Sequence, residues 1–288
     1  MVGGMAAPFK VPHFTILGET RELLAIDKPA GLLVHPTKPG GPPTLWDGLR
    51  ELLAYEVVNG GQVSLINRLD RETSGVVLVC KTSAAARKCA MAMERGAIRK
   101  EYVAVVWGWP ERQEFEVDAP LLRLGEVAES RVWLKRGVHA GGAAALTRFR
   151  VERRMERADG ARLALVRAWP VTGRTHQIRV HLAHAGHPVV GDKLYGPDDR
   201  HYLDFIDHGW TPAMERALLL PRQALHSEVL EVSLDGVAHR WVAPTPADML
   251  GLLDGEGPPS IQNPKPSEAR QPLNPSLETK WQSEIQNR

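Results

Sequence analysis

The chain has 288 residues, of which 43% are apolar and 24% charged, with a formal net charge of +2. This length can bury a substantial core in one large domain or two modest ones, and the composition is that of an ordinary globular protein. The small net charge does not by itself indicate a polyanionic partner, and two cysteines without a C-x-x-C spacing exclude a disulfide framework and argue against a zinc site.

Met1 to His13 lacks the basic start and apolar core of a signal peptide, and residues 1–13 are expected to be a flexible lead. No apolar run approaches the roughly 18 residues that a membrane span needs. A reducing, cytoplasmic setting is expected.

Glu22 to Ile26 is an apolar run that predicts a strand. It stops at Asp27-Lys28-Pro29-Ala30-Gly31, where proline cannot donate to a ladder and glycine permits positive φ. Leu32 to Val34 predicts a second strand ended by His35-Pro36, and Lys38 to Pro43 a loop. Thr44, with Asp47 three residues on, predicts a helix start. In that helix Leu45, Leu49, Leu52 and Leu53 recur at helical spacing and should face the core. Ser64 to Asn67 leads into a turn-prone charged segment, and Val76 to Cys80 reads as a buried strand. Thr82 or Ser83 should cap a helix that runs through Arg95 and ends at Gly96. Cys80 and Cys89 read as buried thiols.

Tyr102 to Trp107, Arg131 to Leu134, Ala144 to Val151 and Ala161 to Ala168 are strands by composition. Thr175 should cap a helix with Ile178, Leu182 and Ala185 on one face and Gly186 at its end. Val229 to Leu234 alternates as a half-buried strand does. Residues 255–288, rich in Pro, Gln, Asn, Ser and Glu, bury too little surface to offset their ordering entropy and predict a disordered tail. Residues 14–254 then form one folded domain. Strands and helices alternate irregularly, which predicts an α+β fold: a mixed, mainly antiparallel sheet with peripheral helices, not a doubly wound one.

Several constellations carry chemistry. Asp70 lies between Arg68 and Arg71, ahead of a buried strand, where a carboxylate can be held ionised and pointed outward. The bland alternative is a surface acid in a charged turn. In Thr172-Gly173-Arg174-Thr175-His176-Gln177-Ile178-Arg179, a cap at Thr175 would leave first-turn N–H groups free for a phosphate. His176 and Arg179 would stand one above the other, with Arg179 able to reach an acid from a rigid element. A solvated helix face explains the same pattern. Tyr102, beside Lys100 and an acid, is either a half-buried strand tyrosine or the platform for a stacked base. Arg87, Lys88, Arg95, Arg99 and Lys100 cluster in sequence as a phosphate patch or a wet helix face. His176, His181, His184 and His187 invite a metal reading, but their spacings scatter them around a helix and no acid completes the set. No phosphate-binding glycine loop or Ser-His-Asp signature stands in a supporting context.

Together these pieces resemble the RluA-type pseudouridine synthase family over about Leu23 to Leu250. The resemblance rests on Asp27-Lys28-Pro29-Ala30-Gly31-Leu32-Leu33-Val34-His35-Pro36, Arg68-Leu69-Asp70-Arg71-Glu72-Thr73-Ser74-Gly75 and Lys100-Glu101-Tyr102-Val103-Ala104. It continues through Thr172 to His181, then Gly186-His187-Pro188-Val189-Val190-Gly191-Asp192 with Leu194-Tyr195-Gly196, and Gln223-Ala224-Leu225-His226. Six motifs in this order are highly specific.

The resemblance implies the pseudouridine synthase fold with a catalytic cleft, and conversion of uridine in structured RNA to its C5-glycoside without cofactor or metal. The target base must leave its stack before C1′ and C5 can be reached. By resemblance Arg68 helps displace the nucleotide, and Asp70 starts the reaction by attacking C1′ or by taking a proton from C2′. Arg179 keeps Asp70 ionised, and Tyr102 stacks on the detached base. Arg68, Arg71, Lys100, Arg174 and His176 are the RNA contacts the reading implies.

Asn67 departs from the histidine usual in the family, which bears on tuning or substrate choice. The stretch before Leu23 is too short for the S4 module of many relatives, so the variety lacking it is expected. Ribosomal and transfer RNA both remain open as substrates, and a monomer is expected. Two other readings stand beside this one: a catalytically silent RNA-binding protein on the same fold, and a metal-dependent hydrolase built on the histidines.

Overall fold

A computed structural model describes residues 13–36 and 40–254. The expectations for residues 1–12, for the start of the Lys38–Pro43 loop and for the tail 255–288 lie outside the described residues. β1 (Thr15–Glu19), an edge strand without a fully buried residue, gives no apolar signal in the sequence; it pairs antiparallel with β2 (Leu23–Lys28).

The strand expected at Leu32–Val34 does not form. The carbonyls of Leu33 and Val34 instead accept the N–H groups of Leu45 and Trp46 at 2.8 and 3.0 Å, serving the otherwise unpaired donors at the start of α1 (Leu45–Leu52). That helix opens on the expected capping box, with Thr44 N–H donating to Asp47 Oδ2 at 2.9 Å and the Thr44 hydroxyl accepting from Asp47 N–H. Leu45, Leu49 and Leu53 are buried. Leu52 is not: it is 45% exposed, because the buried stripe centres on Leu49 and Leu52 falls at its edge on the last turn.

After α2 (Ala54–Val58) and the two-residue β3 (Ser64–Leu65) comes β4 (Ser74–Cys80), every residue of which is buried. An unbroken apolar run is what a strand covered on both faces requires. Val77 and Val79 pack with Leu45 and Leu49 in one core; Val76, Leu78 and Cys80 pack with Ala85, Cys89 and Ala92 of α3 (Ser83–Glu94) in another. Thr82 caps α3 and Gly96 follows it with φ 65°. Cys80 and Cys89 are free, buried thiols.

β5 (Arg99–Trp107) is followed by β6 (Glu114–Asp118), β7 (Leu121–Arg123) and β8 (Arg136–Val138). The strand expected at Arg131–Leu134 is a turn instead, closed by Lys135 N–H donating to the Val132 carbonyl at 3.0 Å. Val132 alone anchors it, in a small cluster with Leu121, Val180 and Tyr195. β9 (Leu146–Glu156), β10 (Arg162–Pro170), α4 (Gln177–His184), α5 (Arg200–His208) and α6 (Pro212–Leu218) precede the hairpin of β11 (Leu225–Leu234) and β12 (Val237–Val242), and α7 (Ala247–Leu253) closes the described chain.

One ten-stranded sheet runs β1-β2-β4-β11-β5-β10-β9-β6, with β3 on β4 and β12 on β11. All its pairings are antiparallel except β4 with β11, where Ser74 and Gly75 face His226 and Ser227. The α+β expectation therefore holds. The parallel join is tight: a Cβ on Gly75, whose φ is 114°, would stand 2.2 Å from the Ser227 carbonyl oxygen, so only glycine fits.

Leu49→Ala should destabilise the fold by about 2–5 kcal/mol, and Leu52→Ala by less than about 1 kcal/mol, measured by urea denaturation. Equal losses would contradict the assignment of the buried stripe.

Candidate active site

The loop that carries Asp70 is fixed at both ends. At its entry the Asn67 side chain pairs with β4 as a strand backbone would, Nδ2 donating to the Val76 carbonyl and Oδ1 accepting from Leu78 N–H, both at 2.9 Å. At its exit Ser74 Oγ lies 2.9 Å from His226 Nδ1, on the parallel join. From below, Lys28 donates to the carbonyls of Pro29, Leu32 and Arg71 at 2.9–3.1 Å. Lys28 is fully buried, and burial pulls its ammonium down to about 7 against the opposing pull of Asp70. Gly31 N–H also reaches the Arg71 carbonyl at 2.8 Å, and Arg71 Nε returns to the Gly31 carbonyl at 3.2 Å. The motif with the KPAG sequence is thus the floor under the acidic loop.

Asp70 itself meets α4. Arg179 Nη1 donates to Asp70 Oδ2 at 2.7 Å, while Nε and Nη2 form a two-pronged pair with Asp192 at 2.6 and 2.9 Å. The Arg179 and Asp192 side chains are 8% and 0% exposed; that of Asp70 is 28% exposed. Asp192 Oδ1 also accepts from the N–H groups of Leu194 and Tyr195.

Burial alone would raise both carboxyls. The Arg179 guanidinium overrides it and holds Asp70, and likewise Asp192, below the ordinary 3.8. Burial likewise opposes the charge on Arg179, but the two carboxylates hold its pKa well above the ordinary range. Gln223 Nε2 adds a longer contact to Asp70 Oδ2 at 3.4 Å. Among the described residues Asp70 Oδ1 accepts no hydrogen bond; its neighbour is His176 Nε2 at 3.9 Å. One oxygen is held and the other is presented.

The expected cap at Thr175 is replaced. Thr175 is exposed, and His176 takes the N-cap position in the left-handed region (φ 60°, ψ 14°) without capping through its side chain. Gln177 Oε1 instead accepts from Arg174 N–H and the Thr172 hydroxyl, at 2.9 and 2.7 Å. The first-turn N–H groups therefore owe nothing to Thr175. The backbone turns at His176 so that its ring points back toward Asp70, and its Nδ1 lies 2.8 Å from Tyr195 Oη.

Arg68, Asp70, Arg71, Tyr102, Lys100, Arg174, His176 and Arg179 all line one cleft of about 1020 Å³. Tyr102 lies at its wall, 8% exposed, and burial reinforced by the Asp70 charge pushes its hydroxyl up to about 12. Lys100 stands two residues before Tyr102 on β5, on the same side of the strand; burial lowers its pKa. Arg68, Arg71 and Arg174 are exposed at the rim. The wider basic run does not converge on the cleft: Lys88 pairs with Asp235 at 2.5 Å instead.

The histidines separate. His181 is buried between the Thr147 hydroxyl (2.9 Å) and the Ala119 carbonyl (3.0 Å), and His187 Nδ1 meets the Trp107 carbonyl at 3.0 Å. Among the described residues no group of three or more His, Cys, Asp or Glu side chains stands together as metal ligands would.

Sequence reasoning gave no role to Asp192, Tyr195, Gln223 or Lys28. All four sit inside motifs visible in the sequence, yet the partners of the first three lie 13 to 153 residues away, with no periodicity linking them.

The chain is similar in sequence and fold to known proteins. Residues 22–184 match the family described as RNA pseudouridylate synthase. A ribosomal large subunit pseudouridine synthase D of Pseudomonas aeruginosa is 34% identical over 83% of this chain and 70% of its own length. The protein of that name from Yersinia pestis is 35% identical over 86% of this chain and 72% of its own. Human RNA Pseudouridylate Synthase Domain Containing 1 shares the fold with a TM-score of 0.64 at 22% identity, over 95% of this chain and 97% of its own. The chain belongs to the RNA pseudouridylate synthase family.

Asp192→Asn leaves a buried guanidinium without its main partner and should cost about 3–5 kcal/mol at neutral pH in urea denaturation. The folded pKa of Asp192 lies below 3.8, so its contribution is complete above that value and lost as pH falls through the folded pKa. Below about pH 4 the variant's stability should therefore fall less steeply with acid than the wild type's; parallel acid limbs would show the ion pair adds nothing.

Proposed function

We propose that residues 14–254 form a catalytic domain that isomerises uridine in structured RNA to pseudouridine, acting in the cytoplasm, with Asp70 as the essential catalyst. What carries the reading is the carboxylate of Asp70, held by Arg179 through one oxygen and facing an open cleft with the other. Attack at C1′ and proton removal at C2′ both need that carboxylate ionised, and the guanidinium keeps it so.

The uridine is extruded from its stack into the cleft, where Tyr102 offers a ring face for the detached base. The C1′–N1 bond breaks, the base turns so that C5 faces C1′, the C1′–C5 bond forms, and the C5 proton is lost as N1 gains one. Nothing is gained or lost overall, so the reaction needs no external reagent. Arg68, Arg71 and Arg174 at the rim are placed for phosphates, with Lys100 deeper in the cleft. The large-subunit names of the relatives make large-subunit ribosomal RNA the first substrate to test. A silent RNA binder would have no use for a buried guanidinium shared between two carboxylates, which is costly to desolvate.

With large-subunit ribosomal RNA tritiated at uridine C5, the wild type should release label and Asp70→Asn should release none above background; a wild type that binds RNA but retains all label would favour the silent binder. By the family resemblance the Tyr102 hydroxyl also assists loss of the C5 proton, so Tyr102→Phe should bind RNA normally but turn over roughly 100-fold more slowly, and an unchanged rate would remove the hydroxyl from the chemistry. Arg174→Ala should weaken RNA binding and lower the salt slope of log K by about 1; an unaltered slope would take this arginine off the phosphate backbone.

A further inference from the structure

We propose that His176 reads the ribose 2′-hydroxyl of the target uridine, donating from Nε2 to a hydroxyl that in turn donates to Asp70 Oδ1. This deepens the reading of the cleft as a uridine-isomerising site and rests on it.

The first support is the gap. Asp70 Oδ2 is taken by Arg179 and Gln223, whereas Oδ1 faces His176 Nε2 across 3.9 Å. That is too long for a hydrogen bond between them. An oxygen about 2.8 Å from each, at ordinary hydrogen-bond lengths, would see the two at roughly 90°, close to the angle between the donor and acceptor directions of a hydroxyl. The gap therefore suits a group that both donates to a carboxylate and accepts from an N–H. On a nucleoside whose C1′ or C2′ faces Asp70, the 2′-hydroxyl is that group.

The second support is the tautomer. Tyr195 Oη accepts from Arg136 N–H at 3.0 Å, and its own proton is left for His176 Nδ1 at 2.8 Å. Tyr195 is 7% exposed, so an unpaired phenolic proton there would be costly. A ring that accepts at Nδ1 carries its proton on Nε2, the nitrogen turned toward the cleft. Burial, aided by the Arg179 charge, also holds the imidazole neutral by drawing its pKa down to about 4. His176 is thus a neutral donor with a fixed direction.

The third support is the backbone. His176 sits at φ 60°, a conformation that costs a non-glycine residue free energy and recurs where function over-determines geometry. Here the strained conformation aims the ring at Asp70, a cost that N-capping does not explain because the side chain caps nothing.

The test uses two versions of a large-subunit ribosomal RNA stem–loop from which the wild type releases tritium. One carries pseudouridine at the target position and the other 2′-deoxypseudouridine, so neither turns over. The wild type should bind the ribose strand about five- to tenfold more tightly, the usual worth of one hydrogen bond. His176→Gly keeps the left-handed backbone at no steric cost and removes the ring; its preference should fall below about twofold. A histidine with a merely structural role would weaken both strands equally and leave the ratio unchanged, and that result would overturn the proposal. If the glycine variant melts at room temperature, Tyr195→Phe decides by the same ratio, because it frees the tautomer without removing the ring. Absence of tritium release from the wild type would instead sink the functional reading, and this proposal with it, before any binding ratio is measured.

Discussion

Everything in the cleft depends on the placement of one guanidinium. Arg179 extends from α4 into a buried position between two carboxylates that come from separate parts of the chain. Asp192 orients it with two hydrogen bonds and is itself fixed by the N–H groups of Leu194 and Tyr195. The remaining Arg179 nitrogen is left for Asp70. In a largely buried triad of this kind much of the Coulomb attraction only offsets the loss of hydration. Its value is positional: it sets both the ionisation and the orientation of Asp70.

The sheet explains why this arrangement holds its shape. Asp70 lies on a loop, yet the loop runs directly into β4, which is buried on both faces and joined in parallel to β11 at Ser74 and Gly75. Asn67 closes the loop onto the same strand, and Lys28 ties the Arg71 carbonyl to the turn after β2. Tyr102 and Lys100 project from β5, the neighbour of β11 on its other side. Functional groups on loops and helix ends are thus referred to adjacent strands of a single sheet, an arrangement in which positional errors stay small.

Much of this was legible in the residues. The all-apolar run Val76–Cys80, the Thr44/Asp47 capping box and the Thr82-to-Gly96 helix each carry a local signature, and each stands as expected. The eight site residues came largely from family motifs, and the cleft gathers all of them. The failures are equally physical. Leu32–Val34 and Arg131–Leu134 are short apolar stretches whose backbone groups are claimed by a helix start and by a turn, a competition that composition does not reveal. Thr175 is a good cap by residue type, but the helix starts one residue later, at a left-handed His176 whose side chain makes no cap. Asp192 and Gln223 became visible only when the chain was closed in three dimensions.

The most direct test of the central claim is the titration of the Asp70 side-chain carboxyl, followed by carbon-13 NMR with Asp70→Asn to assign its signal. The Arg179 clamp predicts a pKa below the ordinary 3.8, moving upward in Arg179→Gln as the guanidinium charge and its hydrogen bond are lost. An Asp70 that titrates above 3.8 in the wild type would mean that burial outweighs the arginine, and the account of a pre-ionised catalyst would be wrong.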